Sequence, residues 1–405
     1  MSSQSVVPDA VELLAGRLFW VSTDAAPRKV SEKTHFFSTD RDLVYEPFAS
    51  DFGPLNLGLV YRYATTLRAM LDDPRFSGHT LVHYCSRDFN KRANAAFLAA
   101  SFLVVDIGLS ASEAWSRFGA LYPPLTPFRD ASAGPCSFQL SVLDCLAGLE
   151  KAMSLGWFSL KSFDLKEYEF YEKLENGDLN WIVPKKFAAF AGPSSASVDL
   201  EGYPASVPED YISYFKLSGI ANVVRLNKPL YEAKRFQDHG IRVHELYFLD
   251  GSCPSRQIIE KFLSLAEEST GPLAIHCKAG LGRTGTLIGL YCMKHFAFPA
   301  RAFIGWNRIC RPGAILGPQQ QFLCDMESTM FKAGEPANFK FRNIAPSKIS
   351  LNVQKRPDET SNPGDEGQGE RLNKAKHQRT SVASDTSTNA SYSNSLFGRL
   401  LWNGD

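Results

Sequence analysis

The chain has 405 residues, long enough for two domains and a tail, and its 44 Lys and Arg nearly balance 43 Asp and Glu. A net charge of +1 argues against a nucleic-acid partner, and no apolar run approaches the roughly 18 residues of a membrane span. The cysteines (Cys85, Cys136, Cys145, Cys253, Cys277, Cys292, Cys310, Cys324) show neither C-x-x-C nor paired spacing. Metal ligation and disulfides are therefore not expected, a reducing compartment suits the thiols, and no cofactor is called for. The N-terminus shows no basic stretch leading into an apolar one, so no secretory signal is read there and an intracellular, soluble protein is expected.

In chain order, residues 8–161 mix strand-like runs (Leu18 to Ser22, Leu81 to Tyr84) with helical ones (Leu57 to Leu71, Lys91 to Val105, Leu140 to Met153). A linker at 162–179 is helix-prone and stops at Asn176-Gly177. It carries Asp164, Glu167, Glu169, Glu172, Glu175 and Asp178 against Lys166 and Lys173, with Glu169, Glu172 and Glu175 on one helix face. Spacing alone leaves a solvated face as the simpler reading. Residues 180–335 repeat the first mixture, with strands at Trp181 to Val183, Phe187 to Ala191, Asn222 to Leu226, Val243 to Phe248 and Leu273 to His276. Such alternation predicts α/β layers in both halves. Residues 345–405 are rich in Ser, Asn, Thr and Gly and are expected to be disordered. Two short features stand out there: a basic-directed kinase match at Arg379-Thr380-Ser381 and an apolar cluster from Leu396 to Trp402.

The most informative stretch is L-A-I-H-C-K-A-G-L-G-R-T-G-T-L-I at 273–288, a strand, a Gly-rich loop and a helix. Consecutive loop N–H groups make a concave anion nest, and the following helix adds the positive end of its dipole. Cys277 sits at its floor, where the same field favours the thiolate, the nucleophilic form. Arg283 stands at the rim with a planar fork for two phosphoryl oxygens. The glycines Gly280, Gly282 and Gly285 also match the dinucleotide fingerprint, but that motif needs an acid about 20 residues on. No Asp or Glu lies between Gly285 and Asp325, and the fingerprint leaves Cys277 and Arg283 without a role.

Phosphate monoester cleavage fits better. Cys277 is the nucleophile, the backbone of Lys278, Ala279, Gly280, Leu281, Gly282 and Arg283 holds the phosphoryl oxygens, and Thr284 is placed to donate to the sulfur. His276 is expected to order the loop. Asp250, in L-Y-F-L-D-G-S-C-P, is the best general acid, although an Asp before Gly is equally a turn former. Gln319 and Gln320 offer amides for the hydrolytic water. The run L-V-H-Y-C-S-R-D-F-N-K-R at 81–92 echoes the loop, but Cys85 to Arg92 is one residue too long and lacks Gly. The first segment reads as a copy that has lost phosphate binding, with coincidence as the competing reading.

The loop H-C-K-A-G-L-G-R-T-G, with D-G-S upstream and R-I-C-R-P-G-A-I-L-G-P-Q-Q-Q-F downstream, resembles the cell division cycle fourteen phosphatases, a dual-specificity branch of the protein tyrosine phosphatases. So do F-G-P-L-N-L-G at 52–58, N-K-R-A-N-A-A-F-L at 90–98, P-F-R-D-A-S at 127–132, Y-E-K-L-E-N-G-D-L-N-W at 171–181 and R-L-N-K at 225–228. The resemblance spans about residues 10–330. It implies two tandem phosphatase-like domains, the first inactive, joined by a linker helix. It places catalysis on Cys277, Arg283 and Asp250 and an acidic groove on Glu169, Glu172 and Asp178. It further implies phosphoprotein substrates of cyclin-dependent kinases, with phosphoserine before Pro and a basic residue beyond. By the same resemblance the enzyme is placed in nucleus and cytoplasm, at spindle or centrosome or basal body. The tail resembles no family segment. The competing readings are a phosphoinositide phosphatase, which would want extra cations where Leu281 stands, and a catalytically dead phosphoprotein-binding scaffold.

Overall fold

The computed structural model describes residues 9–27, 31–199, 202–338 and 367–385. The first half runs β1 (Val11–Leu14), β2 (Leu18–Ser22), β3 (Thr34–Phe37), α1 (Leu57–Asp72), β4 (Thr80–Cys85), α2 (Phe89–Val105), α3 (Ala111–Ser116) and α4 (Val142–Ser154). A short α5 (Leu165–Tyr171) leads to the second half: β5 (Leu179–Val183), β6 (Phe187–Phe190), α6 (Pro208–Leu217), β7 (Asn222–Arg225), α7 (Lys234–Gln237), β8 (Arg242–Glu245), α8 (Arg256–Glu268), β9 (Leu273–His276), α9 (Gly282–Phe296), α10 (Ala300–Cys310) and α11 (Pro318–Asn338). A last helix, α12 (Gln368–Asp385), follows.

The sheets are ordered β1-β2-β4-β3 and β5-β6-β9-β7-β8. In each, an antiparallel hairpin leads into parallel strands. Without β8 the second sheet has the order and strand senses of the first, so the echo between the halves extends to the whole sheet. The strand β9 lies between parallel β6 and β7, and all four of its residues are buried, which is why it reads as an apolar run rather than an alternating one.

The halves share one core. Helices α4 and α10 cross with backbones nearly touching: a Cβ at Gly148 would run into Ala302 O, and one at Gly305 would meet Cys145 Cα. Trp306, 1% exposed, donates Nε1–H to Ile182 O at 2.9 Å.

Three expectations are corrected. The linker is not one helix: α5 is followed by a 3-10 turn at Leu174–Asn176, which ends at Gly177 with φ 110°, the left-handed conformation of a helix stop. The last strand before the acid loop stops at Glu245 rather than Phe248, and the hairpin strand β1 and the edge strand β3 were not anticipated. The tail is not disordered throughout, because Gln368–Asp385 is helical, with Leu372 4% exposed. The Leu396 to Trp402 cluster lies outside the described residues.

Candidate active site

The strand β9 delivers Cys277 to a loop whose carbonyls are all engaged from outside. Cys277 O accepts from His276 Nδ1 at 3.0 Å, and Lys278 O from Gly192 N at 2.9 Å. Arg311 reaches two more, with Nη2 to Ala279 O at 3.0 Å and Nε to Gly280 O at 2.8 Å. Leu281 O accepts from Gly285 N at 3.1 Å, and Gly282 O from Thr286 Oγ1 at 2.8 Å. A peptide that turns its C=O outward turns its N–H inward, so this ring of acceptors shapes the anion nest. Gly280 is required in it: φ is +66°, and a Cβ would run into Phe190 O. The N-terminus of α9 has no side-chain cap, leaving its dipole open to an anion.

His276 is fully buried, and desolvation pushes its imidazole down to about 3. It is therefore neutral, with Nδ1–H on Cys277 O and Nε2 accepting from Tyr231 O–H at 2.8 Å. Thr284 Oγ1 is buried without a hydrogen-bond partner, as a hydroxyl reserved for a neighbouring sulfur would be. Arg283 is 3% exposed, donates Nη1–H to Phe248 O at 3.0 Å, and pairs through Nη2 with Asp250 Oδ1 at 3.1 Å. Its Nε is buried and unpaired, a spare donor beside Nη2 for a phosphoryl oxygen. The structure thus pairs Asp250 with Arg283, at the end of the loop that begins at Cys277.

The glutamines divide. Gln319 donates Nε2–H to Ser252 O at 3.0 Å in the acid loop and lies against Gly282, while its Oε1 is buried and unpaired. Gln320 is consumed structurally: Arg308 donates to its Oε1, and its Nε2 donates to Gly317 O at 3.2 Å.

The linker carboxylates are less open than expected. Glu169 is held by Arg62 through two bonds of 2.6 Å, so its charge is largely neutralised. Glu172 accepts from Asn56 Nδ2 at 3.0 Å, and burial raises its carboxyl to about 7. Asp178 pairs with Arg311 Nη1 at 3.0 Å and with Lys376 Nζ of α12. That helix lies across the cleft: Gly369 N donates to Asp250 Oδ2 at 2.6 Å, Glu370 pairs with Lys278, and His377 stacks on Tyr203. Arg311, Tyr231 and the α12 residues were not singled out from the sequence, although Arg311 lies in the R-P-G motif.

In the first domain the loop after Cys85 has its amides occupied by carboxylates, with Arg92 buried beside them. Asp88 caps α2 by accepting from Asn90 N and Lys91 N at 3.1 and 3.0 Å, and Asp40 accepts from Ser86 N at 2.7 Å. The amides that would receive phosphate are taken by carboxylates. Burial pushes the Cys85 thiol up, with Asp40 adding to the effect.

A family model described as the dual specificity protein phosphatase N-terminal half matches residues 12–152, and one described as a polymorphic toxin system DSP-PTPase phosphatase matches 201–297. The chain is 47% identical over 344 residues to human dual specificity protein phosphatase CDC14A, covering 85% of this chain and 58% of that protein. It is 46% identical over 307 residues to human CDC14C, covering 76% and 69%. The chain belongs to the CDC14 dual specificity protein phosphatases. It spans less than three fifths of the length of human CDC14A. Among solved structures, a tyrosine phosphatase from Leishmania major is 27% identical over 34% of this chain and 85% of its own, at a TM-score of 0.29. As a CDC14 family member the chain has two dual-specificity-phosphatase-like domains, one on each sheet.

Proposed function

We propose that this CDC14 family member hydrolyses phosphoserine, phosphothreonine and phosphotyrosine monoesters in proteins through a phosphocysteine. The observation that carries this reading is the loop from Cys277 to Arg283, with its carbonyls engaged outside and Arg283 bridged to Asp250. The Cys277 thiolate attacks phosphorus, forming S–P as P–O breaks, while Asp250 gives its proton to the leaving oxygen. Arg283 and the loop amides carry the charge of the equatorial oxygens. Water, positioned by Gln319 and activated by Asp250, then attacks phosphorus, and the thiolate departs from phosphate with Thr284 donating to it.

Substrates carry a proline after the phosphoserine and a basic residue beyond it, as cyclin-dependent-kinase sites do. Support comes from Asp178, which holds a lysine in this structure, with Glu172 nearby. A polyanionic inositol headgroup would meet these acids unfavourably. The first domain does not catalyse, because Asp40 and Asp88 fill its anion site. A cell-cycle role in nucleus and cytoplasm fits this substrate class. Cys277→Ser decides the mechanism: turnover falls by more than 10³-fold while phosphopeptide still binds. Activity near wild type refutes it, and a panel of phosphoserine, phosphothreonine, phosphotyrosine and phosphoinositide substrates identifies the class.

A further inference from the structure

We infer that the first domain supplies an arginine-selective subsite for substrates on the face of Phe48, next to the lysine subsite at Asp178. The inference rests on the protein-phosphatase reading and extends its substrate class.

The loop bearing Phe48 is rigidly built. Asp51 Oδ1 accepts from Phe48 N and Ala49 N, each at 2.8 Å, and its Oδ2 accepts from Tyr45 O–H at 2.6 Å. Asp51 is 3% exposed, so these bonds are protected from water. The Phe48 ring rests on Gly313 of the catalytic domain, where φ is +79° and a Cβ would enter the ring. An aromatic ring is thereby fixed at the seam between the domains.

In this structure α12 occupies the platform. The Arg379 guanidinium carbon lies 3.8 Å from the Phe48 centroid, and Nε donates to Pro47 O at 3.0 Å. Glu46, Asp51 and Asp178 supply the negative surroundings. Stacking on the ring and an in-plane bond to a carbonyl together suit a planar guanidinium and give a lysine ammonium only the charge.

Three residues before Arg379, Lys376 pairs with Asp178. Three helical residues rise about 4.5 Å, whereas an extended peptide advances about 3.3 Å per residue. The same two subsites on an extended substrate therefore take residues one or two apart: a basic residue on Asp178, then an arginine on Phe48. Arg379 rests on Phe48 and Pro47 O, both of the first domain and apart from the Cys277–Arg283 loop, so the platform acts on recognition and not on chemistry.

The test uses the full chain and phosphoserine-proline peptides with a lysine for Asp178, followed one or two residues later by Arg, Lys or Ala. The kcat/KM ratio of Arg to Ala peptides is expected at about five to ten, against about two for Lys to Ala. Phe48→Leu should reduce the Arg ratio to that of Lys, and Phe48→Tyr should restore it, because the ring rather than the bulk is required. Arg379→Ala, which vacates the platform, should raise it. An unchanged ratio in Phe48→Leu, or equal loss in Phe48→Tyr, overturns the subsite. Wild-type turnover that is equal on Arg and Ala peptides removes the subsite alone. Turnover of none of the peptides removes the phosphatase reading and the subsite with it.

Discussion

Arg311→Lys separates loop geometry from net charge. Arg311 is 2% exposed and holds Gly280 O, Ala279 O, Asn180 Oδ1 (2.7 Å) and Asp178 Oδ1 together. A lysine ammonium keeps the charge beside Asp178 but cannot also span two successive loop carbonyls. Two bonds to a charged donor are lost, each worth about 1.5 kcal/mol, so stability should fall by about 3 kcal/mol. Two of the inward-turned peptides lose their anchor, and a misplacement on the order of 1 Å costs about 10²-fold in rate. Urea unfolding measures the first effect, and kcat/KM on an aryl phosphate under conditions where the variant is folded measures the second. Competitive inhibition by inorganic vanadate should weaken in parallel, since the same amides bind it. A variant that is less stable by this amount yet turns over within threefold of wild type would refute the reasoning, leaving Arg311 as core packing only.

Asp250→Ala should slow alkyl phosphate hydrolysis by about 10²- to 10⁴-fold and activated aryl phosphates far less; equal losses on both would remove Asp250 as the acid. Gly280→Ala should abolish phosphate binding, because the position needs φ of +66° and a Cβ meets Phe190 O; a vanadate affinity like wild type would contradict that. Burial raises Glu172 to about 7, so it gains its charge as pH rises from 6 to 8. The preference for a lysine over an alanine peptide should grow about threefold across that window and stay flat in Glu172→Gln. The linkage sign follows from a folded pKa above the unfolded one. The stability that Glu172 contributes is full below about 4.5 and is lost as pH rises through about 7, so Glu172→Gln should gain melting temperature relative to wild type at pH 8 and not at pH 4.

The strand–loop–helix unit that carries Cys277 and Arg283 was legible because its apolar run, glycines and helical segment are local in sequence, and the structure pairs Arg283 with Asp250 from a separate loop. Arg311 was not legible as a loop anchor, since nothing local to R-P-G says that its guanidinium crosses to carbonyls about 30 positions earlier in the chain. The linker shows the same limit from the other side. The spacing of Glu169 and Glu172 placed them on one face, but Arg62 and Asn56, both from the first domain, decide how much negative charge they present. Helix α12 was missed for a related reason. Its segment, Q-G-E-R-L-N-K-A-K-H-Q-R, is polar with little apolar face, and it is held by ion pairs to Lys278 and Asp178 and a single buried leucine, Leu372, rather than by a periodic stripe.

The two sheets make the division of labour physical. Both carry a strand–Cys–helix unit on the same strand order, so the backbone alone does not decide which one meets phosphate. In the second domain, glycines let the loop amides converge, α9 begins without a side-chain cap, and every nearby carbonyl is engaged elsewhere. In the first, Asp88 and Asp40 take the corresponding amides, and a phosphate there would have to displace two carboxylates of its own sign. With Asp51 fixing the Phe48 loop, the first domain presents an aromatic ring to Arg379 of α12. The two domains meet at the α4–α10 crossing, where Gly148 and Gly305 let the backbones come into near contact, so the loop after Cys277 and the Phe48 platform sit on one shared core.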